Sequence, residues 1–182
     1  MEWVLGVLVG VSLSAACGFR VFVPMLVMSI AVHSGHLEPA SGFEWLGSWS
    51  ALLGFGLATV VEIVAYFVPL VSNALDVVAT PAAVVAGTIL TASMVGELSP
   101  VLRWTLAAVA GGSVAGGIQA ATVSLRSAAT PAGASGLVSV AEDGAAVVTS
   151  MLAVTIPLLA IGLLGFSGIF LMRRKHFRAN RV

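Results

Sequence analysis

Two opposite charges stand inside otherwise apolar stretches. Arg20 lies in Cys17-Gly18-Phe19-Arg20-Val21-Phe22-Val23-Pro24, and Glu62 in the run from Trp45 to Val68. A lipid-buried cation costs on the order of 3 kcal/mol even on the lenient insertion scale, so Arg20 needs a partner, water or a route to the interface. The same octet supplies a flexible glycine and, because Pro24 has no N–H, a carbonyl at Arg20 without its helical donor. These features could line a polar cavity or conduction path; the alternative is a guanidinium that snorkels to the surface. Glu62 is either the ion-pair partner of Arg20 or a protonatable transport group, and the two are expected to be coupled directly or through water. Tyr66, at i+4, can hydrogen-bond Glu62 on the same helix face. Arg20, Glu62, Tyr66 and Asp76 are therefore the candidate lining of a pathway for a small solute or ion.

The remaining polar residues carry weaker signals. Asp76, Glu142 and Asp143 stand near expected helix starts, where free N–H groups and the macrodipole favour carboxylates; gathered together, they could instead form a cation-attracting vestibule. His33 and His36 lack a nearby Cys or a second His pair, so no metal site is assigned, although Glu38 and Glu44 could complete one in principle. The lone Cys17 excludes a disulfide framework. No Gly-x-Ser-x-Gly, His-Glu-x-x-His or Gly-x-x-x-x-Gly-Lys motif is present, and the glycine-rich stretch from Gly111 to Gly117 has no Lys. Neither catalysis nor a cofactor is expected.

These residues sit in a chain of 182 residues with 59% hydrophobic and 9% charged content, too little charge to cover a soluble surface. Eight basic residues balance eight acidic ones, which leaves no electrostatic footprint for nucleic acid. In a bilayer every backbone group must be satisfied within its own helix or in a closed barrel. Long apolar runs without strict alternation reject the barrel. The expected fold is an all-α polytopic bundle of about five spans: Trp3 to Ala31, Trp45 to Val68, Val77 to Gly96, Val101 to Leu125, and Gly144 to Met172. Residues 1–172 form one transmembrane domain and 173–182 a basic tail.

The first and last spans run about 29 residues, roughly 43 Å of helix against a ~30 Å apolar core, so breaks are expected at Pro24 and Pro157. Thr80-Pro81 makes the third span a half-helix, a re-entrant segment or a kinked crossing. Ser41-x-x-Glu44 and Ser139-x-x-Glu142 read as capping boxes before the second and fifth spans, and Ser99-Pro100 as the start of the fourth. Trp3, Trp45, Trp49 and Trp104 fall near helix starts, where their rings suit the headgroup level. Arg173, Arg174, Lys175, Arg178 and Arg181 place the C-terminus in the cytoplasm, and five crossings then place the N-terminus outside. On that topology Arg103 lies near the inner surface and Arg126 near the outer one. An N-terminal segment without a basic start reads as a permanent span rather than a cleaved signal.

Gly6, Gly10, Ser14 and Gly18 recur every four residues, as do Ala108, Gly112, Gly116 and Ala120. Such stripes let helices approach closely, either within the chain or across a homo-oligomer contact. The octet from Cys17, the stretch Asp76-Val77-Val78-Ala79-Thr80-Pro81-Ala82-Ala83, and Leu98-Ser99-Pro100-Val101-Leu102-Arg103-Trp104 together resemble the bacterial membrane proteins grouped as domain of unknown function 4126. The resemblance implies a small polytopic protein of the inner membrane and brings no substrate or catalytic residue. The resulting reading is an oligomeric channel or transporter-like protein in the bilayer; the alternative is a non-transporting structural or assembly subunit that docks other membrane proteins.

Overall fold

The computed structural model describes residues 2–156, and every regular element among them is helical. Four helical stretches are long and apolar enough to cross a membrane. They are α3 (Trp49–Tyr66), α4 (Pro69–Met94), the run from α5 (Pro100–Leu106) to α6 (Ser113–Ala129), and α7 (Ser135–Thr155). Two shorter apolar helices precede them, α1 (Glu2–Cys17) and α2 (Phe22–His33). The chain is an integral, multi-pass membrane protein.

The break expected near Pro24 is present, but its geometry differs from a bent crossing. The chain leaves the helix at Gly18 to Val21, and Pro24 sits in the first turn of α2, where a missing N–H costs nothing because the first donors of a helix have no partner. α1 runs antiparallel to α4: its Ser14 hydroxyl lies 2.6 Å from the Gly87 carbonyl, and a Cβ at Gly10 would stand 2.8 Å from Thr91 Cα. α2 runs antiparallel to α3. It starts beside Glu62, passes Leu46 through a 2.6 Å bond from Ser29, and ends with His33 edge-on to Trp49 at 4.7 Å. The following loop returns to the end of α4, where the Ala40 N–H donates to the Ser93 carbonyl at 2.6 Å.

The expected first span is therefore a re-entrant helical hairpin that enters and leaves by one face. Its 16-residue first arm reaches about 24 Å, short of the ~30 Å apolar core. Four stretches long enough to cross then follow; with each crossing once, the start of α1 and the end of α7 share a face. The expected topology with opposite ends counted the hairpin as a crossing. The rest of that expectation, the break at Pro157, the span as far as Met172 and the basic tail, lies outside the described residues. α7 ends at Thr155 with Ile156 as its cap, consistent with the aversion of a pre-proline residue to helical geometry.

α4 is continuous from Pro69 to Met94 with Pro81 inside it. Neither the half-helix nor the re-entrant alternative holds for this segment. Proline removes one bond, to the Val77 carbonyl, while α1, α6 and the turn before α6 pack along the rest and keep the helix whole. Both capping boxes are misplaced. α3 starts at Trp49, where the Ser48 hydroxyl accepts from the Ala51 N–H at 3.1 Å. Glu44 instead accepts from its own N–H and from that of Gly42, and these bonds hold its carboxyl below the usual range. Ser139 and Glu142 lie inside α7, because the left-handed turn at Gly133 (φ 68°) starts that helix nine residues before Gly144. Ser99 and Pro100 do begin the fourth span, although the Ser99 hydroxyl makes no capping bond.

A π-helical turn from Ala107 to Gly112 separates α5 from α6. It brings glycines against α4: a Cβ at Gly111 would meet the Gly87 carbonyl oxygen at 2.6 Å, and one at Gly112 the Thr88 hydroxyl at 2.7 Å. The glycines of both small-residue stripes pack inside the chain. Gly6 faces the Met94 carbonyl, Gly18 faces Ile118 of α6, and Gly116 faces Val84. The glycines of both stripes thus serve packing within the chain, while Ala108 and Ala120 of the second stripe stay exposed. Trp45, Trp49 and Trp104 are half-exposed or more, all near the face by which the hairpin enters. A girdle of this kind marks an interface level.

Candidate functional site

The hairpin's turn projects Arg20 into the bundle, where it is 1% exposed. A buried guanidinium must find acceptors in a planar fork, and α7 supplies them. Nε donates to Asp143 at 2.6 Å, Nη1 to Glu142 Oε2 at 3.0 Å, and Nη2 to the Ser139 carbonyl at 3.3 Å. Glu142 and Asp143 are successive residues of α7, so one turn of helix presents two carboxylates and a carbonyl to one arginine. Arg20 does not snorkel.

Glu142 Oε2 also accepts from a second buried arginine, Arg126 of α6, whose other terminal nitrogen donates to Asp76 of α4. Tyr66 of α3 lies between the two cations, with the Arg20 guanidinium 4.0 Å from its ring centroid and that of Arg126 4.3 Å from it. The negative face of an aromatic ring attracts a cation, most strongly where water is excluded. Tyr66 is thus a spacer between like charges rather than the hydrogen-bond partner of Glu62 that its i+4 position suggests.

Glu62 does not bridge Arg20. Its two oxygens accept the Val21 and Phe22 N–H groups at 2.8 and 3.0 Å. These are the unpaired donors where α2 begins, the positive end of that helix. The carboxylate pins the hairpin's return arm to α3 while the guanidinium one residue earlier pins its tip to α7. The expected coupling of Arg20 and Glu62 is therefore not a direct pair; the two groups hold opposite sides of one turn.

All four sequence candidates, Arg20, Glu62, Tyr66 and Asp76, come together here. Arg126, Glu142, Asp143 and Ser139 complete the cage. Asp76, Glu142 and Asp143 are not helix caps: each lies within a helix and the first two share Arg126. Arg126 is 3% exposed rather than a loop charge at the outer surface. The signal for these residues was available, since an arginine within a long apolar run demands partners wherever it lies. The cage holds four carboxylates against two guanidiniums, and one Glu142 oxygen, Oε1, is buried without a hydrogen bond among the described residues. Asp76 and Asp143 keep 12% and 20% of their side chains exposed, whereas Arg20 keeps 0%. The two aspartates are thus the most exposed members of the cage.

His33 and His36 stay outside the cage. His33 Nδ1 bonds the Gly47 carbonyl and His36 Nδ1 the Ser34 hydroxyl, each at 2.8 Å. A family model described as Domain of unknown function (DUF4126) matches residues 7–175. No curated protein and no solved structure matches the chain.

Proposed function

We propose, for a chain that belongs to the DUF4126 family, a transporter-like role in which the buried cage is the site that exchanges protons or a small cation. The observation that carries this reading is the charge balance. Four carboxylates face two guanidiniums, and the start of α2 adds only about half a positive charge. An uncompensated charge at this depth is costly, so a cation or protons arriving through Asp76 and Asp143 would neutralise the cage. The re-entrant hairpin supports the same reading, because irregular backbone at membrane depth is tolerated where it lines a site. No enzymatic activity forms part of the proposal. The family resemblance and the basic tail support placement in a bacterial cytoplasmic membrane with the C-terminus inside.

A second reading, a non-transporting structural or assembly subunit, draws on the complete burial of Arg20 and the tight pairing around it. Flux separates the two. Purified protein in liposomes with an entrapped pH dye and an imposed potassium diffusion potential should carry protons or sodium faster than protein-free liposomes. Glu142→Gln, which removes one cage charge, should reduce that flux at least tenfold. Folded protein that carries neither ion would overturn transport and leave the structural subunit.

A further inference from the structure

A cavity of about 420 Å³ opens between α2, α3 and α4 on the lipid-facing side. Its walls are apolar, among them Phe22, Val61, Leu75 and Val78, and it includes two polar side chains, Glu62 and Tyr66. Val61 and Val78 are 60% and 61% exposed, so the opening faces lipid tails rather than water. A second cavity of about 450 Å³ shares Phe22, Gly54 and Ala58 with the first and continues toward Trp45, Ser48 and Ser50 at the hairpin's face. Both volumes suit a small-molecule site, and an apolar pocket with few polar groups is the usual composition of one.

The charge of the polar end selects the occupant. Each Glu62 oxygen accepts one backbone N–H, whereas a carboxylate offers about four acceptor positions, so capacity for a further donor remains. Arg20 and Arg126 stack against Tyr66 and would repel a cation. They are outnumbered by Glu62, Asp76, Glu142 and Asp143, and neither lines the cavity. We infer that this groove binds a protonated alkylamine from the bilayer, its ammonium at Glu62 and its chain along the seam of Phe22, Gly54 and Ala58. An anionic amphiphile meets the wrong charge, and a neutral alcohol forgoes the ionic attraction. The inference concerns binding and requires no flux.

Photolabelling tests it with the intact protein in zwitterionic lipid nanodiscs. A dodecylamine bearing a diazirine on its chain should label groove residues of α3 and α4, and excess dodecylamine should suppress that labelling while dodecanoate should not. Gly54→Leu should lower labelling at least tenfold; a Cβ at Gly54 meets nothing within 4 Å, so the leucine fits the backbone and fills the groove. Glu62→Gln should remove the preference for dodecylamine over dodecanol. Since Glu62 also holds α2, Gly54→Leu keeps the test decisive if that variant does not fold. Label spread evenly over lipid-facing helices, competition by dodecanoate equal to that by dodecylamine, or unchanged labelling in Gly54→Leu would each overturn the assignment. No ion gradient is imposed, so absence of flux in liposomes leaves this result untouched.

Discussion

Removing a positive charge from the cage should cost far more than removing a negative one. In Arg20→Met the lost groups are two charge-assisted bonds to carboxylates, at 2.6 and 3.0 Å, a third to the Ser139 carbonyl at 3.3 Å, and the stack on Tyr66. Two unit charges 4 Å apart are worth about 4 kcal/mol at an effective dielectric of about 20, and removing one partner of a buried pair costs about 3–5 kcal/mol. Asp143 can recover some water, so we place Arg20→Met near ~3 kcal/mol within that range. Glu142→Gln leaves Arg20 on Asp143 and Arg126 on Asp76 while reducing the excess of negative charge. Its amide oxygen still accepts, so its loss should stay within ~1 kcal/mol, the net worth of an ordinary hydrogen bond. The double variant should show coupling of about 1–3 kcal/mol, as expected for residues in one network. Unfolding of all four proteins, followed by helical circular dichroism in one detergent at fixed pH and salt, measures the cycle. Equal losses for the two single variants, or additivity within ~0.5 kcal/mol, would refute the charge-imbalance argument.

Three further outcomes follow from the packing. Gly10→Leu drives a side chain into the α4 backbone at Thr91 and should lower stability by about 1–3 kcal/mol, with no change in native mass; a change in assembly would mean the stripe serves a partner copy. Tyr66→Phe should keep both cation contacts and remain within ~1 kcal/mol of the parent, whereas Tyr66→Leu should lose ~2 kcal/mol or more in the same unfolding assay. In a Cys17→Ser background, Val4→Cys, Ser34→Cys and Glu97→Cys should react with an impermeant maleimide from one side of the membrane and Ala128→Cys from the other; labelling of Val4→Cys and Ser34→Cys from opposite sides would refute the re-entrant hairpin.

The sequence made the helical bundle legible because hydropathy and the demand for backbone satisfaction act on each segment alone. The starts of α4 and α7 were misread because Asp76, Glu142 and Asp143 look like caps when helix starts are sought locally. Their true partners stand on other helices, and nothing in local spacing announces them. Arg20 and Glu62 were marked by cost, which is why they were found. Their pairing was misassigned because two lone opposite charges invite one bond, while the structure gives the carboxylate to the backbone of α2. The hairpin's reversal was illegible for a related reason: an apolar run interrupted at Gly18 reads the same whether the chain continues across or turns back.

The hairpin also constrains the order in which the molecule can be made. The charged tip at Arg20 finds its acceptors 122 and 123 residues later in the chain, and the groove that receives α1 belongs to α4. Contacts at such separation form late, since closing the long loop is costly before they can compensate it. Neither arm is long enough to span the membrane by itself. α1 and the tip that follows it thus gain their last contacts only once α7 has been made. Truncation before α7 should therefore leave the tip without these acceptors, and the last crossing acts as the latch that completes assembly.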